Sequence, residues 1–378
     1  MAIAVAGCRR ELPPEFPLVH PENSGNMIHA NAPFEMFDDC VYRLDRQWRS
    51  LTGATSFADF VNRHCSHLVF TMANTLRLGS DDASPYLRLR ELLDRIDKPI
   101  VIFGLGVQAE TDDLTGATLP AEATGVLRDL QERCAVIGVR GETTRRVLEQ
   151  ICGVTNTKVV GCPSLFSRPA QLARLRKNLR NLRNGEGRPA FSGTKLKEEA
   201  ETRLLHDAIR NDTFMIEPSN RRSHQFYVDV TRGRGDGRIP SFLKDYRARR
   251  LRRTRGTRDQ LESYYQRRYR LFRDTKSWYQ FNQESVSFTY GTRFHVNMAS
   301  ILSGRPALWL THDARTRELT DFLHLPAVPV GTVRDMSVGE IGSLIDYDDF
   351  FDHIGGLFDN FNDYLEVNGL PPVKRPVI

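Results

Sequence analysis

Ile100-Val-Ile-Phe103, which closes on Gly104-Leu-Gly106, is followed by Ala135-Val-Ile-Gly-Val139 and Lys158-Val-Val160, and the reading of these three apolar runs decides the fold. Each is short, rich in β-branched residues and set between turn or polar residues, the pattern of a buried strand. Between them lie amphipathic helical patterns at Leu119 to Cys134 and Thr143 to Ile151. Upstream, Leu68-Val-Phe-Thr71 reads as a strand and Tyr86 to Ile96 as a helix. Strands separated by helices of this length predict a parallel sheet covered on both faces and wound by right-handed crossovers.

The alternation resumes after Ala170 to Arg188, a polar, basic stretch that reads as a connector. Pro189 to Ser192, Thr213-Phe-Met-Ile216, Ser285 to Tyr290 and Ala307-Leu-Trp-Leu310 are strands. Leu196 to Arg210 is a helix with Leu196, Ala200, Leu204 and Ala208 on one face; Phe294 to Leu302 and Thr316 to Leu325 are further helices. The chain therefore divides into an α/β domain at residues 1–180, a second at 181–350 and a C-terminal helical tail at 351–378. A cleft between two such halves puts ligands at the carboxyl ends of the strands.

Composition agrees with an ordinary globular protein: 378 residues, 40% hydrophobic and 26% charged, which excludes disorder, collagen-like repeats and coiled coil. The apolar runs are strand-sized, far short of the roughly 18 residues of a membrane span. Val5-Ala-Gly-Cys8 matches the end of a bacterial lipoprotein signal, but only four residues precede it and the basic pair Arg9-Arg10 comes afterwards, so no such signal is read. Six scattered cysteines without a Cys-x-x-Cys pair indicate neither a zinc module nor a disulfide framework. His64-Cys-Ser-His67 lacks a partner pair with metal-site spacing, so no metal is expected. The cytoplasm is the expected compartment, with peripheral contact at the inner face of the membrane left open.

The formal charge of +6 is unevenly spread, since Thr231 to Lys276 holds 14 Arg and 2 Lys against 4 Asp and 1 Glu. Arg247-Ala-Arg-Arg-Leu-Arg-Arg-Thr-Arg255 places charge on every side of any regular element and reads as a solvated excursion. Its readings are a plain solvated face, contact with an anionic membrane or phosphorylated acceptor, and nucleic acid. The last is disfavoured, because Leu261, Tyr264, Tyr265, Arg268, Tyr269 and Phe272 recur at helical spacing as a buried stripe, and no stacking platform is evident.

Strand-to-helix turns carry the candidate chemistry. Asn23-Ser-Gly-Asn26 precedes Ile28-His-Ala-Asn-Ala32 and reads as turn chemistry or as a close approach of backbone amides to a ligand. Gly104-Leu-Gly106 lacks the third glycine of a dinucleotide fingerprint, so no NAD is inferred. Arg140 follows a strand in Val139-Arg-Gly-Glu-Thr-Thr144, either as a surface charge beside a capping threonine or as an anion-binding fork. Tyr290-Gly-Thr-Arg-Phe-His295 sets Arg293 and His295 on another such turn, and Thr311-His-Asp313 leads to Arg315. Neighbouring strand ends thus deliver two guanidiniums and an imidazole to one edge.

Asn23-x-Gly-Asn26, Gly138-Val-Arg-Gly-x-x-Thr144, Val160-Gly-Cys-Pro-Ser-Leu-Phe166, Gly291-Thr-Arg-Phe-His295 and Gly304-Arg-Pro306 through Asp313-Ala-Arg315 to Leu319-x-x-Phe-Leu323 resemble, in order and spacing, the polysaccharide pyruvyl transferases. The resemblance runs from about residue 20 to about residue 330. It implies two Rossmann-like domains in the GT-B arrangement and transfer of the pyruvyl unit of phosphoenolpyruvate onto two sugar hydroxyls as a ketal. Arg140, Arg293 and His295 match the family's phosphoenolpyruvate-binding positions; Arg315 stands where many members have lysine and Asn26 where an aspartate is common.

On this reading Arg140, Arg293 and Arg315 hold the donor's carboxylate and phosphate, His295 exchanges protons or bonds the phosphate, and Asn23 and Asn26 contact substrate. Glu217, in Ile216-Glu-Pro-Ser219 at a strand end, is the candidate acceptor base. No cofactor beyond phosphoenolpyruvate as donor is expected, and the partner is a saccharide acceptor whose lipid linkage is left open. The rival readings are a nucleotide-sugar glycosyltransferase on the same plan and a non-catalytic polyanion-binding protein.

Overall fold

The computed structural model describes residues 1–20, 22–108, 113–179, 187–234, 239–244 and 257–378. In chain order the N-terminal half contributes β1 (Ala2–Gly7), β2 (Cys40–Tyr42), β3 (Cys65–Thr71), β4 (Leu76–Arg77), β5 (Ile100–Phe103), β6 (Val107–Gln108), β7 (Ile137–Val139) and β8 (Thr157–Val159). The order β2-β1-β3-β5 forms a parallel sheet. The parallel pair β7–β8 extends it, because Leu105 N–H donates to the Gly138 carbonyl at 3.2 Å and Arg140 N–H to the Leu105 carbonyl at 2.9 Å. The C-terminal half contributes β9 (Arg188–Ser192), β10 (Phe214–Ile216), β11 (Tyr269–Arg270), β12 (Val286–Gly291), β13 (Ala307–Thr311) and β14 (Ala327–Pro329), all parallel in the order β11-β10-β9-β12-β13-β14.

Each strand expected from the sequence is present within a few residues of its expected bounds, and the architecture is the α/β pair of facing parallel sheets. Each sheet reverses its winding once, between β1 and β3 and again between β9 and β12. The two reversals share a local device. Gly7 ends β1 at φ +114 with Thr71 so close that a Cβ would stand 2.2 Å from its carbonyl oxygen, and Gly291 ends β12 at φ +146 with a Cβ position 2.0 Å from the Ser192 carbonyl oxygen. A side chain at either place would wedge the neighbouring strand ends apart.

Three segments refine the expectation. In the lipoprotein-like Val5-Ala-Gly-Cys8 run the first three residues end β1, in which Ala4, Val5 and Ala6 are wholly buried, and Cys8 follows it. The expected connector begins as a helix, Pro169–Leu179, because Leu172 and Leu175 form a buried stripe that its polar composition hides. Within the basic excursion Leu261, Tyr264 and Tyr265 on the Thr257–Arg268 helix are buried as their spacing predicts; Tyr269 is buried too but stands on β11 and not on that helix, and Arg247 to Arg255 lies outside the described residues.

The C-terminal helix, Asp348–Val367, touches both halves. At its start the Tyr347 hydroxyl donates to the Ala307 carbonyl of β13 at 3.0 Å, and near its end the Tyr364 hydroxyl donates to the Ile102 carbonyl of β5 at 2.7 Å. Phe361 stacks on Phe166 with ring centroids 4.2 Å apart. Each such buried aromatic contributes about 1.5–3 kcal/mol, so this helix helps hold the two sheets in register.

Candidate active site

The carboxyl ends of both sheets face one cleft of about 750 Å³. The winding reversals supply its walls: Cys8 follows β1 and Asn74 follows β3 on one side, Thr194 and Lys195 follow β9 and Arg293 follows β12 on the other. Arg140, after β7, and His312, Asp313 and Arg315, after β13, complete it together with His295, Asn23 and Asn26. Among the described lining residues Asp313 is the one carboxylate, against Arg77, Arg140, Lys195, Arg293 and Arg315. The cleft is built for an anion.

Arg140 is no surface charge. Its side chain is 2% exposed and donates from Nη1 to the Asn74 side-chain oxygen at 2.8 Å, while Nε and Nη2 are buried with no partner among the described residues. Burial, then the charge of Arg315, weakens its hold on its proton, with Cys162, Cys8 and Glu318 opposing. A guanidinium stays protonated in any protein, so this one is a desolvated cation awaiting an acceptor.

Arg293 caps the helix Phe294–Ile301 and is held from behind. Its Nε donates to the Gly193 carbonyl at 3.0 Å and Nη2 lies 3.7 Å from Glu217 Oε1. Glu217 is 1% exposed and accepts from the Ser219 and Asn220 N–H groups at 3.0 Å each. Burial pushes its carboxyl up and Arg293 pulls it down. The structure thus sets the expected acceptor base beneath Arg293, with Pro218 at the cleft wall beside it.

Arg315 lies 3.1 Å from Asp313, which also accepts from Thr316 N–H at 2.8 Å and stands 3.4 Å from His312 Nε2. Burial works upward on the Asp313 carboxyl, but Arg315 and His312 outweigh it and leave it below the usual range. Asn23 accepts from Gly25 N–H at 2.9 Å, fixing the loop that starts the Asn26–Met36 helix against His295. His295 is held well below the usual histidine range by burial, then by Arg140, His29 and Arg315, so it is neutral at physiological pH.

The model of the polysaccharide pyruvyl transferase family matches residues 20–314 of the chain. The chain belongs to that family. Among solved structures it is similar to the UDP-GlcNAc 2-epimerase of Methanocaldococcus jannaschii, at 11% identity over 91% of each chain and a TM-score of 0.39. It is also similar to an α,α-trehalose 6-phosphate synthase from Burkholderia multivorans, at 12% identity over 91% of this chain and 79% of that one, with a TM-score of 0.40. No curated relative matches by sequence.

This polysaccharide pyruvyl transferase family member brings Arg140, Arg293, His295, Arg315, Asn23 and Asn26 into one cleft from turns spread over nearly 300 residues. Cys8, Asn74, Thr194, Lys195 and His312 line it too; local sequence does not mark them as site residues, although His312 stands in the Thr311-His-Asp313 turn. Three metal-ligand side chains, His324, Asp349 and His353, converge away from the cleft lining. Their imidazoles stack at 3.9 Å and both Nδ1 atoms face Asp349, at 2.8 and 3.1 Å. No helix among the described residues is long and apolar enough to cross a membrane.

Proposed function

We propose that this protein transfers the pyruvyl unit of phosphoenolpyruvate onto two hydroxyls of a saccharide, in a cell-surface polysaccharide or its precursor, as a cyclic ketal. The observation that carries the reading is Arg140, a buried guanidinium with two nitrogens that find no partner among the described residues, and with Arg315 and Arg293 on the same cleft. Burying an unpaired cation is strongly unfavourable, so such a residue argues for an anionic ligand that completes it. A carboxylate or phosphate does so with short, charge-assisted bonds. Phosphoenolpyruvate offers both, and three arginines from separate strand ends can divide them.

In the net reaction the donor's methylene carbon gains a proton and becomes methyl, and the adjacent carbon takes one hydroxyl oxygen. The second hydroxyl oxygen then displaces phosphate from that carbon. Of the two hydroxyl protons released, one balances the methyl group and the other leaves on hydrogen phosphate. The conversion is redox-neutral, so it requires no redox cofactor. Cations fixed in a partly closed cleft stabilise the departing phosphate more than water would. His295 handles protons, and Glu217, beneath Arg293, acts through it as a positioning residue. A lipid-linked acceptor at an anionic membrane surface fits the positive surplus of residues 231–276.

Titration calorimetry with phosphoenolpyruvate, UDP-glucose and UDP-galactose, using Arg293→Ala as control, tests the assignment. Binding of phosphoenolpyruvate alone, lost in the variant, supports it. Selective binding of a nucleotide sugar replaces it with glycosyl transfer. Salt-steep polyanion binding with none of the three ligands bound points to a non-catalytic protein.

A further inference from the structure

Behind His295 lies a buried relay that the proposed chemistry has not used. His29, wholly buried on the Asn26–Met36 helix, places Nε2 3.1 Å from the Phe103 carbonyl and Nδ1 4.0 Å from Cys162 Sγ. Cys162, also wholly buried, lies 3.1 Å from Ser164 Oγ and 3.5 Å from His295 Nε2. Four groups from three separate stretches of chain therefore share a small number of protons.

Donor and acceptor counting orders them. A carbonyl only accepts, so the His29 proton sits on Nε2. His29 carries one proton, since burial and Arg140 push it down to about 3. Its Nδ1 is then a buried lone pair whose available donor is the Cys162 thiol. With the thiol proton directed there, Sγ is left to accept, and His295 must donate from Nε2. Electrostatics favours the same arrangement: besides His29, the groups acting on His295 are Arg140 and Arg315, which line the cleft with it, and cations on that side favour a lone pair there over an N–H.

We infer that Cys162, backed by His29, is a positioning residue that fixes His295 as the Nε2–H tautomer and turns its Nδ1 lone pair toward the cleft as the base for the acceptor hydroxyl. The base role rests on the pyruvyl-transfer reading; the tautomer does not. Nδ1 takes a hydroxyl proton as that oxygen bonds to the donor carbon. That proton is one of the two the reaction places on the methylene carbon and on phosphate, so the imidazole ends each turnover neutral. The lone pair also removes His295 as a hydrogen-bond donor to the incoming phosphate.

The test is nitrogen NMR of full-length protein carrying 15N-histidine, with the His295 signals identified by their absence from His295→Gln. Wild type is expected to show His295 protonated at Nε2 and bare at Nδ1. Cys162→Ser, which keeps a donor and acceptor, retains that tautomer, whereas Cys162→Ala mixes the two forms. In turnover, Cys162→Ala lowers kcat roughly tenfold with phosphoenolpyruvate affinity unchanged, against a loss of roughly 100-fold or more for His295→Ala. A wild-type His295 protonated at Nδ1, or equal tautomer populations in wild type and Cys162→Ala, overturns the relay. The expected tautomers without pyruvyl transfer by wild type sink the functional reading and leave the relay standing.

Discussion

Glu318, on the helix that follows β13, accepts a hydrogen bond at 3.0 Å from the backbone N–H of Thr143, two residues past Gly141 in the turn that carries Arg140. It also accepts from the Thr144 hydroxyl at 3.2 Å, and the same hydroxyl accepts from Val107 N–H. A carboxylate of one half thus caps the first turn of a helix in the other and steadies the loop under the cleft. Burial pushes the Glu318 carboxyl up, while its bonds to Thr144 and Thr143 pull it down. Glu318→Ala leaves these donors without the carboxylate and is expected to destabilise the fold by about 1–3 kcal/mol. Phosphoenolpyruvate should also bind more weakly, because Arg140 loses its fixed seat. Urea unfolding and calorimetry check both effects, and a variant with an unchanged midpoint would show that the cap carries no weight.

Arg140 predicts the opposite balance. Replacing it with methionine, close in length but apolar, removes a desolvated cation from the protein interior, so the unliganded variant should be as stable as wild type or more stable, by up to about 4 kcal/mol. The same change should abolish thermal stabilisation by phosphoenolpyruvate. Thermal unfolding with and without ligand reads both at once. A less stable variant that still responds to phosphoenolpyruvate would remove Arg140 from the anion site.

The legible part of this molecule was the part written in short range. Strands such as Ile100–Phe103 announce themselves by apolar runs, and Arg140 and Arg293 stand just after strands with His295 in the first turn of the helix that follows, so their place at a sheet edge follows from local order. β1 is not legible in the sequence because its alanines have weak strand preference and a proline-rich segment follows. The relay could not be read from local spacing, since Cys162 lies 133 residues from both His29 and His295. Glu217 was placed correctly at a strand end, but its burial under Arg293 depends on how β10 and β12 flank β9. Only tertiary packing separates a lining carboxylate from one that supports a lining arginine.

That support has a pH signature. Burial raises the Glu217 carboxyl above its usual range in the folded chain, with Arg293 restraining the rise. A carboxyl raised on folding gives stability that is full at pH below the ordinary glutamate value and is lost as pH rises through the folded value. Arg293→Ala removes the restraint, so its stability relative to wild type should worsen as pH rises above the ordinary glutamate range. Adding Glu217→Gln should flatten the dependence. Denaturant titrations of the three proteins over that rise in pH decide it, and parallel curves for wild type and Arg293→Ala would refute the coupling.

His29 gives a signature of opposite sign. Its imidazole, at about 3 when folded against an ordinary value of 6.5, stays neutral where the unfolded chain takes up a proton. Protons therefore bind the unfolded state more, and the contribution to stability, present above pH 6.5, is lost as pH falls from there toward 3. The slope is at most about 1.4 kcal/mol per pH unit for this one proton. His224, pushed down to about 4 by burial and Arg273, adds to the same trend over a narrower interval. His29→Phe removes one titrating group, so its stability should fall less steeply than that of wild type between pH 6 and about pH 4.5, whatever its absolute value at pH 7. Comparing slopes isolates the effect from any loss of packing and from carboxylates common to both proteins. Equal slopes would mean that His29 takes up its proton in the folded chain as readily as in the unfolded one, and over that interval its Nδ1 would be a donor to Cys162 where the relay requires an acceptor.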